Sequence, residues 1–72
     1  MSEVRKRSVR IAGHRSSVSL EPEFWEALKS LAASRAISVE KLIGEVDGAR
    51  KGANLSSALR LHVLAELRRR AG

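Results

Sequence analysis

The sequence predicts a mainly α protein with one short β-strand, its core completed by a second copy of the chain. Three observations carry that prediction. The chain has 72 residues and no cysteine. A domain of roughly 60 residues buries only about 60% of its unfolded surface, and the usual reinforcements are disulfides, a structural metal or oligomerisation. Disulfides are excluded here, and two histidines, His14 and His62, cannot close a zinc site alone. Next, one segment alternates with period two, while three others carry helical spacing. Finally, the last helical segment is apolar over a wide arc, as in a helix covered on more than one side.

The alternating segment is residues 14–20. His14, Ser16, Val18 and Leu20 share one face, and Arg15, Ser17 and Ser19 share the other. A lone strand needs a partner for its backbone groups, and a second chain can supply it. Val9 and Ile11 continue the alternation, but Gly13 intervenes, so residues 1–13 read as a flexible basic arm. Residues 14–49 then form the core, and residues 50–72 a C-terminal helical segment that extends the dimer core.

Pro22 suits a first helical position, where its missing N–H costs nothing. Glu23 and Glu26 follow in the first turn, where the helix dipole favours acids. Phe24, Leu28, Leu31 and Ala32 make a stripe, so a helix is expected over 22–35. Ala36 and Ile37 form a tight turn. Ser38 is a good N-cap for a helix over 38–49, with Val39, Leu42, Ile43 and Val46 on one face. Asn54 caps a third helix over 55–69, carrying Leu55, Ala58, Leu59, Leu61, Val63, Leu64, Ala65 and Leu67. The expected dimer core is Val18, Leu20, Phe24, Trp25, Leu28, Leu42, Ile43, Val46, Leu59 and Val63, with His62 at an interface.

The net charge is +6 and the pI about 11.2, a balance that favours a polyanionic partner. The two ends are basic and the middle is acidic. No catalytic function, cofactor or metal is expected. The chain is short for a walled pocket, and residues 48–52 lack phosphate-loop spacing. No apolar run approaches the roughly 18 residues of a membrane span, and the N-terminus lacks a signal-peptide core. A cytoplasmic, nucleoid-associated protein is expected.

The order of basic arm, alternating strand, helix, short turn and capped helix resembles the ribbon-helix-helix family, the Arc, methionine-repressor and CopG type of bacterial DNA-binding protein. The residues that carry the resemblance are Arg-Ser-Ser-Val-Ser-Leu over 15–20, Glu-Pro-Glu-Phe-Trp-Glu-Ala-Leu over 21–28, and Ile37 and Ser38 opening Val-Glu-Lys-Leu-Ile over 39–43. Residues 13–25, with Asn-Leu-Ser-Ser-Ala-Leu-Arg over 54–60, are similar to one small branch known only as a ribbon-helix-helix domain.

The resemblance implies an intertwined homodimer whose ribbon enters the major groove of double-stranded DNA. It implies base contacts from Arg15, Ser17 and Ser19, while Ser16, Val18 and Leu20 pack inward. It also implies phosphate contacts at the start of the second helix, from Ser38, Val39 and Lys41. Arg5, Lys6, Arg7 and Arg10 of the arm would follow phosphates or enter a minor groove, and His14 borders the ribbon within reach of a phosphate. The implied role is a sequence-specific transcriptional regulator, such as a repressor, with pairs of dimers on repeated sites. Alternatives are an antitoxin or other interaction module holding a protein partner through residues 54–70, and non-specific architectural DNA binding. Membrane-surface docking through Val63, Leu64 and Leu67 beside Arg68, Arg69 and Arg70 is a further alternative, although no membrane association is expected. One departure from the family pattern is Ala36, where glycine is common; another is the third helix, an addition to the minimal fold.

Overall fold

The strand expected over 14–20 has a neighbour within its own chain. The computed structural model describes residues 3–52 and 54–71, in the order β1 (Arg5–Ile11), β2 (His14–Leu20), α1 (Pro22–Ser34), α2 (Val39–Ala49) and α3 (Leu55–Ala71). β1 and β2 form a two-stranded antiparallel hairpin, with Arg5 opposite Leu20 and Ile11 opposite His14. One expectation is corrected: residues 5–11 are a strand and not a flexible arm, and they pair with β2 of the same chain. Positions 1 and 2 of the expected arm, and positions 53 and 72 of the C-terminal segment, lie outside the described residues.

Ala12 and Gly13 make the connection, at φ 51° and 82°. Two central residues with positive φ mark a type I′ turn, whose twist matches that of the flanking strands. Glycine takes this conformation freely, whereas alanine is strained in it.

The helices fall close to their expected bounds. Ser38 caps α2, its Oγ accepting the Lys41 backbone N–H at 3.0 Å. The Asn54 carboxamide oxygen accepts the Ser57 N–H at 3.1 Å at the start of α3. The end of α1 closes with Ile37 N–H donating to the Ala32 carbonyl and Ala36 N–H to that of Ala33, both at 3.0 Å. This is a Schellman closure, and it holds Ala36 at φ 57°, the left-handed position where glycine is favoured.

The core lies between the inner face of the hairpin and the three helices. Val9, Val18, Leu20, Leu28, Leu31, Ala32, Leu42, Ile43, Val46, Leu55, Leu59 and Val63 are buried in it. Eight of the ten residues expected in a dimer core are therefore buried by one chain alone. Phe24 and Trp25 are the other two, and both are half-buried against this core. Cations of the same chain cover them: Arg7 lies over the Trp25 ring at 4.8 Å from its centroid, and Arg60 over Phe24 at 5.9 Å. Ser16, expected to pack inward with Val18, is exposed.

Three polar links fix the layers. Arg60 of α3 donates to the Glu21 carboxylate at 3.0 Å and to the Ser19 carbonyl at 3.1 Å. The Glu21 backbone amide and the Arg60 guanidinium hold the Glu21 carboxyl below the ordinary carboxylate range. Arg35 grips Glu45 with two bonds of 2.7 and 3.2 Å, tying the end of α1 to α2. This contact lowers the Glu45 carboxyl and raises the Arg35 guanidinium.

A left-handed alanine costs about 1–2 kcal/mol, part of which glycine returns through the greater freedom of its unfolded chain. Ala36→Gly should therefore raise the unfolding free energy by about 0.5–1 kcal/mol, as measured by urea denaturation.

Candidate nucleic-acid interface

Because side chains alternate along a strand, burying Val9, Val18 and Leu20 turns the opposite parity outward. Cross-strand partners share a face, so Lys6, Ser8 and Arg10 of β1 stand with Arg15, Ser17 and Ser19 of β2. The pairs are Lys6 with Ser19, Ser8 with Ser17, and Arg10 with Arg15. All are exposed except Ser19, which is half-buried. The face thus carries three cations and three hydroxyls, with no apolar or acidic side chain of the ribbon on it. A broad, open groove of about 740 Å³ crosses it, lined by Lys6, Ser8, Arg10, Arg15, Ser17 and Glu40 among others.

The two edges of the hairpin are anchored at opposite ends. The Arg10 N–H donates to the Glu40 carboxylate at 2.6 Å, which holds the start of α2 beside β1. The Ser19 N–H donates to Ser56 Oγ at 2.9 Å, and Arg60 takes its carbonyl. In an antiparallel pair the backbone groups of alternate residues point away from the partner strand. Arg10 and Ser19 have that outward parity, and so do Arg15 and Ser17.

The expected site residues separate into groups. Arg15, Ser17 and Ser19 share the outer face, and Ser19 is pinned by α3. Ser38 and Lys41 are exposed at the start of α2, with Val39 half-buried between them. The first N–H groups of a helix have no intrahelical acceptor and attract anions. Glu40, in that same turn, is engaged by the Arg10 amide.

The four cations expected in the arm are split between the two faces. Lys6 and Arg10 point with Arg15. Arg5 and Arg7 have the inner parity, and Arg7 is committed to Trp25, its Nε buried without a hydrogen-bond partner. Arg7 therefore does not join the outer face, and its role is packing. His14 is exposed at the hairpin tip with the inner parity, beside the face and not on it.

Lys6, Ser8 and Arg10 belong to the face by register alone. The signal available in the sequence was the alternation of Val9 and Ile11 across the Ala12–Gly13 turn. Among the described residues, no group of three histidines, aspartates or glutamates could hold a metal, and no helix is long and apolar enough to cross a membrane.

The described residues thus present a cationic ribbon backed by capped helices, a surface whose charge suits a polyanion. The chain belongs to the ribbon-helix-helix domain family, whose sequence model matches residues 4–67. That match begins before β1 and runs far into α3, so the hairpin and most of the third helix lie within the family's domain. Members of this family are generally DNA-binding regulators or antitoxins, without enzymatic activity, and bind DNA as dimers. No curated protein and no solved structure matches the chain significantly.

Arg10 and Arg15 are directly opposed, and among the described residues neither guanidinium has a carboxylate within ion-pair distance. Like charges so placed destabilise a strand pair. Arg15→Ser should raise the melting temperature of the free protein by about 1–3 °C at low salt. The difference should disappear in about 0.5 M salt, where exposed charges are screened, as followed by circular dichroism.

Proposed function

We propose that the chain is a sequence-specific double-stranded DNA-binding protein, a transcriptional regulator that lays the outer face of its hairpin in the major groove. The observation that carries this reading is the composition of that face: Lys6, Arg10 and Arg15 interleaved with Ser8, Ser17 and Ser19, all exposed but the half-buried Ser19, with no acidic side chain from the ribbon itself. The major groove, about 12 Å wide, admits a two-stranded ribbon. Arg15 reads guanine through O6 and N7. Ser17 donates or accepts and so tolerates several bases; Ser19 does the same from the rim beside α3. Ser38, Val39 and Lys41 seat a backbone phosphate at the start of α2.

The experiment compares wild type, Arg15→Ala and Lys41→Ala on selected and random duplexes across a salt series. Arg15→Ala should lose about 1–3 kcal/mol of discrimination at one position. Lys41→Ala should weaken all duplexes alike and reduce the salt slope by about 0.9. Equal loss on both kinds of duplex in Arg15→Ala would remove Arg15 as a reader.

The functional unit we propose is a homodimer, in keeping with the family's dimeric habit. Its chains meet through α3, where Leu61, Leu64 and Leu67 are exposed by 60%, 47% and 53%. Each chain keeps its own hairpin. Leu64→Glu should leave the circular dichroism spectrum unchanged and halve the mass found by sedimentation equilibrium. A wild type that sediments as a monomer would instead favour a different protein partner for these leucines, the antitoxin reading.

A further inference from the structure

We infer that Arg60 of α3 is a positioning residue for DNA recognition: clamped by Glu21, its guanidinium fixes the helix end of β2, and with it the direction of Ser19, without touching the DNA. This inference rests on the major-groove reading above and adds to it a determinant of specificity that lies outside the ribbon.

The clamp is built from three contacts of one planar group. The Arg60 Nε donates to the Glu21 carboxylate at 3.0 Å, an Nη donates to the Ser19 carbonyl at 3.1 Å, and the guanidinium lies 5.9 Å from the centroid of the Phe24 ring. Ser56, four residues earlier and so on the same side of α3, accepts the Ser19 N–H at 2.9 Å. Both backbone groups of Ser19 are therefore held by α3. A residue whose N–H and C=O are both fixed has little freedom in the direction of its Cα–Cβ bond. The Ser19 side chain is thus aimed by groups 37 and 41 residues away. Glu21 steadies the fork. It is the N-cap residue of α1, placed just where the chain leaves β2. A single guanidinium ties strand, helix start and third helix to one another.

The ordinary role of an arginine beside a DNA-binding surface is a phosphate contact. Arg60 differs from the exposed cations of the outer face. Its charge is opposed by the Glu21 carboxylate at 3.0 Å, and its side chain is only 31% exposed. The guanidinium supplies donors at a fixed angle; a lysine ammonium keeps the charge and loses that fork. Charge and geometry can therefore be separated by substitution.

The test measures binding of wild type, Arg60→Lys, Arg60→Met, Ser19→Ala and the double variant Ser19→Ala/Arg60→Lys. Two duplexes are compared across a salt series, one selected by wild type from random DNA and one of shuffled sequence. Circular dichroism and urea denaturation establish that each variant is folded, and Arg60→Lys carries the test if Arg60→Met does not fold. Arg60→Lys should lose roughly 2- to 10-fold in discrimination between the duplexes, the worth of one hydrogen bond. Its affinity for the shuffled duplex and its salt slope should be unchanged. Ser19→Ala should lose about as much, and the double variant no more than either alone, because residue 19 contributes through the geometry that Arg60 holds. A salt slope reduced by about 0.9 in Arg60→Met, with equal loss on both duplexes, would identify a phosphate contact and overturn the inference. Losses that add in the double variant would overturn it too, as would a lowered unfolding free energy with discrimination unchanged. Each of these leaves major-groove recognition standing. A wild type that selects no sequence would overturn that recognition, and the positioning role with it.

Discussion

The alternation of a β-strand is the constraint from which the rest of this molecule follows. Val9, Val18 and Leu20 leave water by packing on the apolar surface formed by the helices. Once they are buried, every second residue of both strands is committed to the opposite face. No further instruction is needed to gather Lys6, Arg10 and Arg15. A shift of register by one residue would bury the charges and expose the valines, so the apolar pattern that stabilises the fold also specifies the cationic face.

The helices hold the ribbon at two opposed points. Glu40, at the start of α2, takes an outward amide of β1 near the tip. Ser56 and Arg60 of α3 take the outward groups of Ser19 at the other end. Arg60 has the largest share of this work. Its guanidinium reaches β2 and the N-cap of α1, and lies over Phe24. One side chain thereby orients the last turn of the ribbon relative to two helices. The third helix is consequently part of what positions the hairpin, and its inner stripe of Leu55, Leu59 and Val63 is core in the ordinary sense.

The helices, their caps and the face carrying Arg15 and Ser17 were legible because they rest on local signals: Pro22 at a helix start, Ser38 and Asn54 as caps, and period two over 14–20. β1 was not. Its residues Arg5, Lys6, Arg7 and Arg10 look like a solvated polybasic arm, and the turn that folds them back begins with alanine, whereas type I′ turns favour asparagine, aspartate or glycine there. Val9 and Ile11 were the remaining clue. The partners of Ser19 and Glu21 lie 37 to 41 residues away, a separation at which no local pattern points to them. The sharing of a core between two chains was inferred from chain length; arginines stacked over Trp25 and Phe24 cover part of the surface that a second subunit was expected to cover.

A hairpin closed by a two-residue turn also changes how the protein responds to its own abundance. Where a ribbon is woven from two subunits, the recognition element exists only above the dissociation constant of the dimer, and stability depends on protomer concentration. In this chain the two strands are joined by a turn, and their meeting is a local, unimolecular event, of the kind completed in about 1–10 μs in isolated hairpins. The hairpin is therefore present at any dilution. Only the joining of two chains would then depend on the amount of protein made.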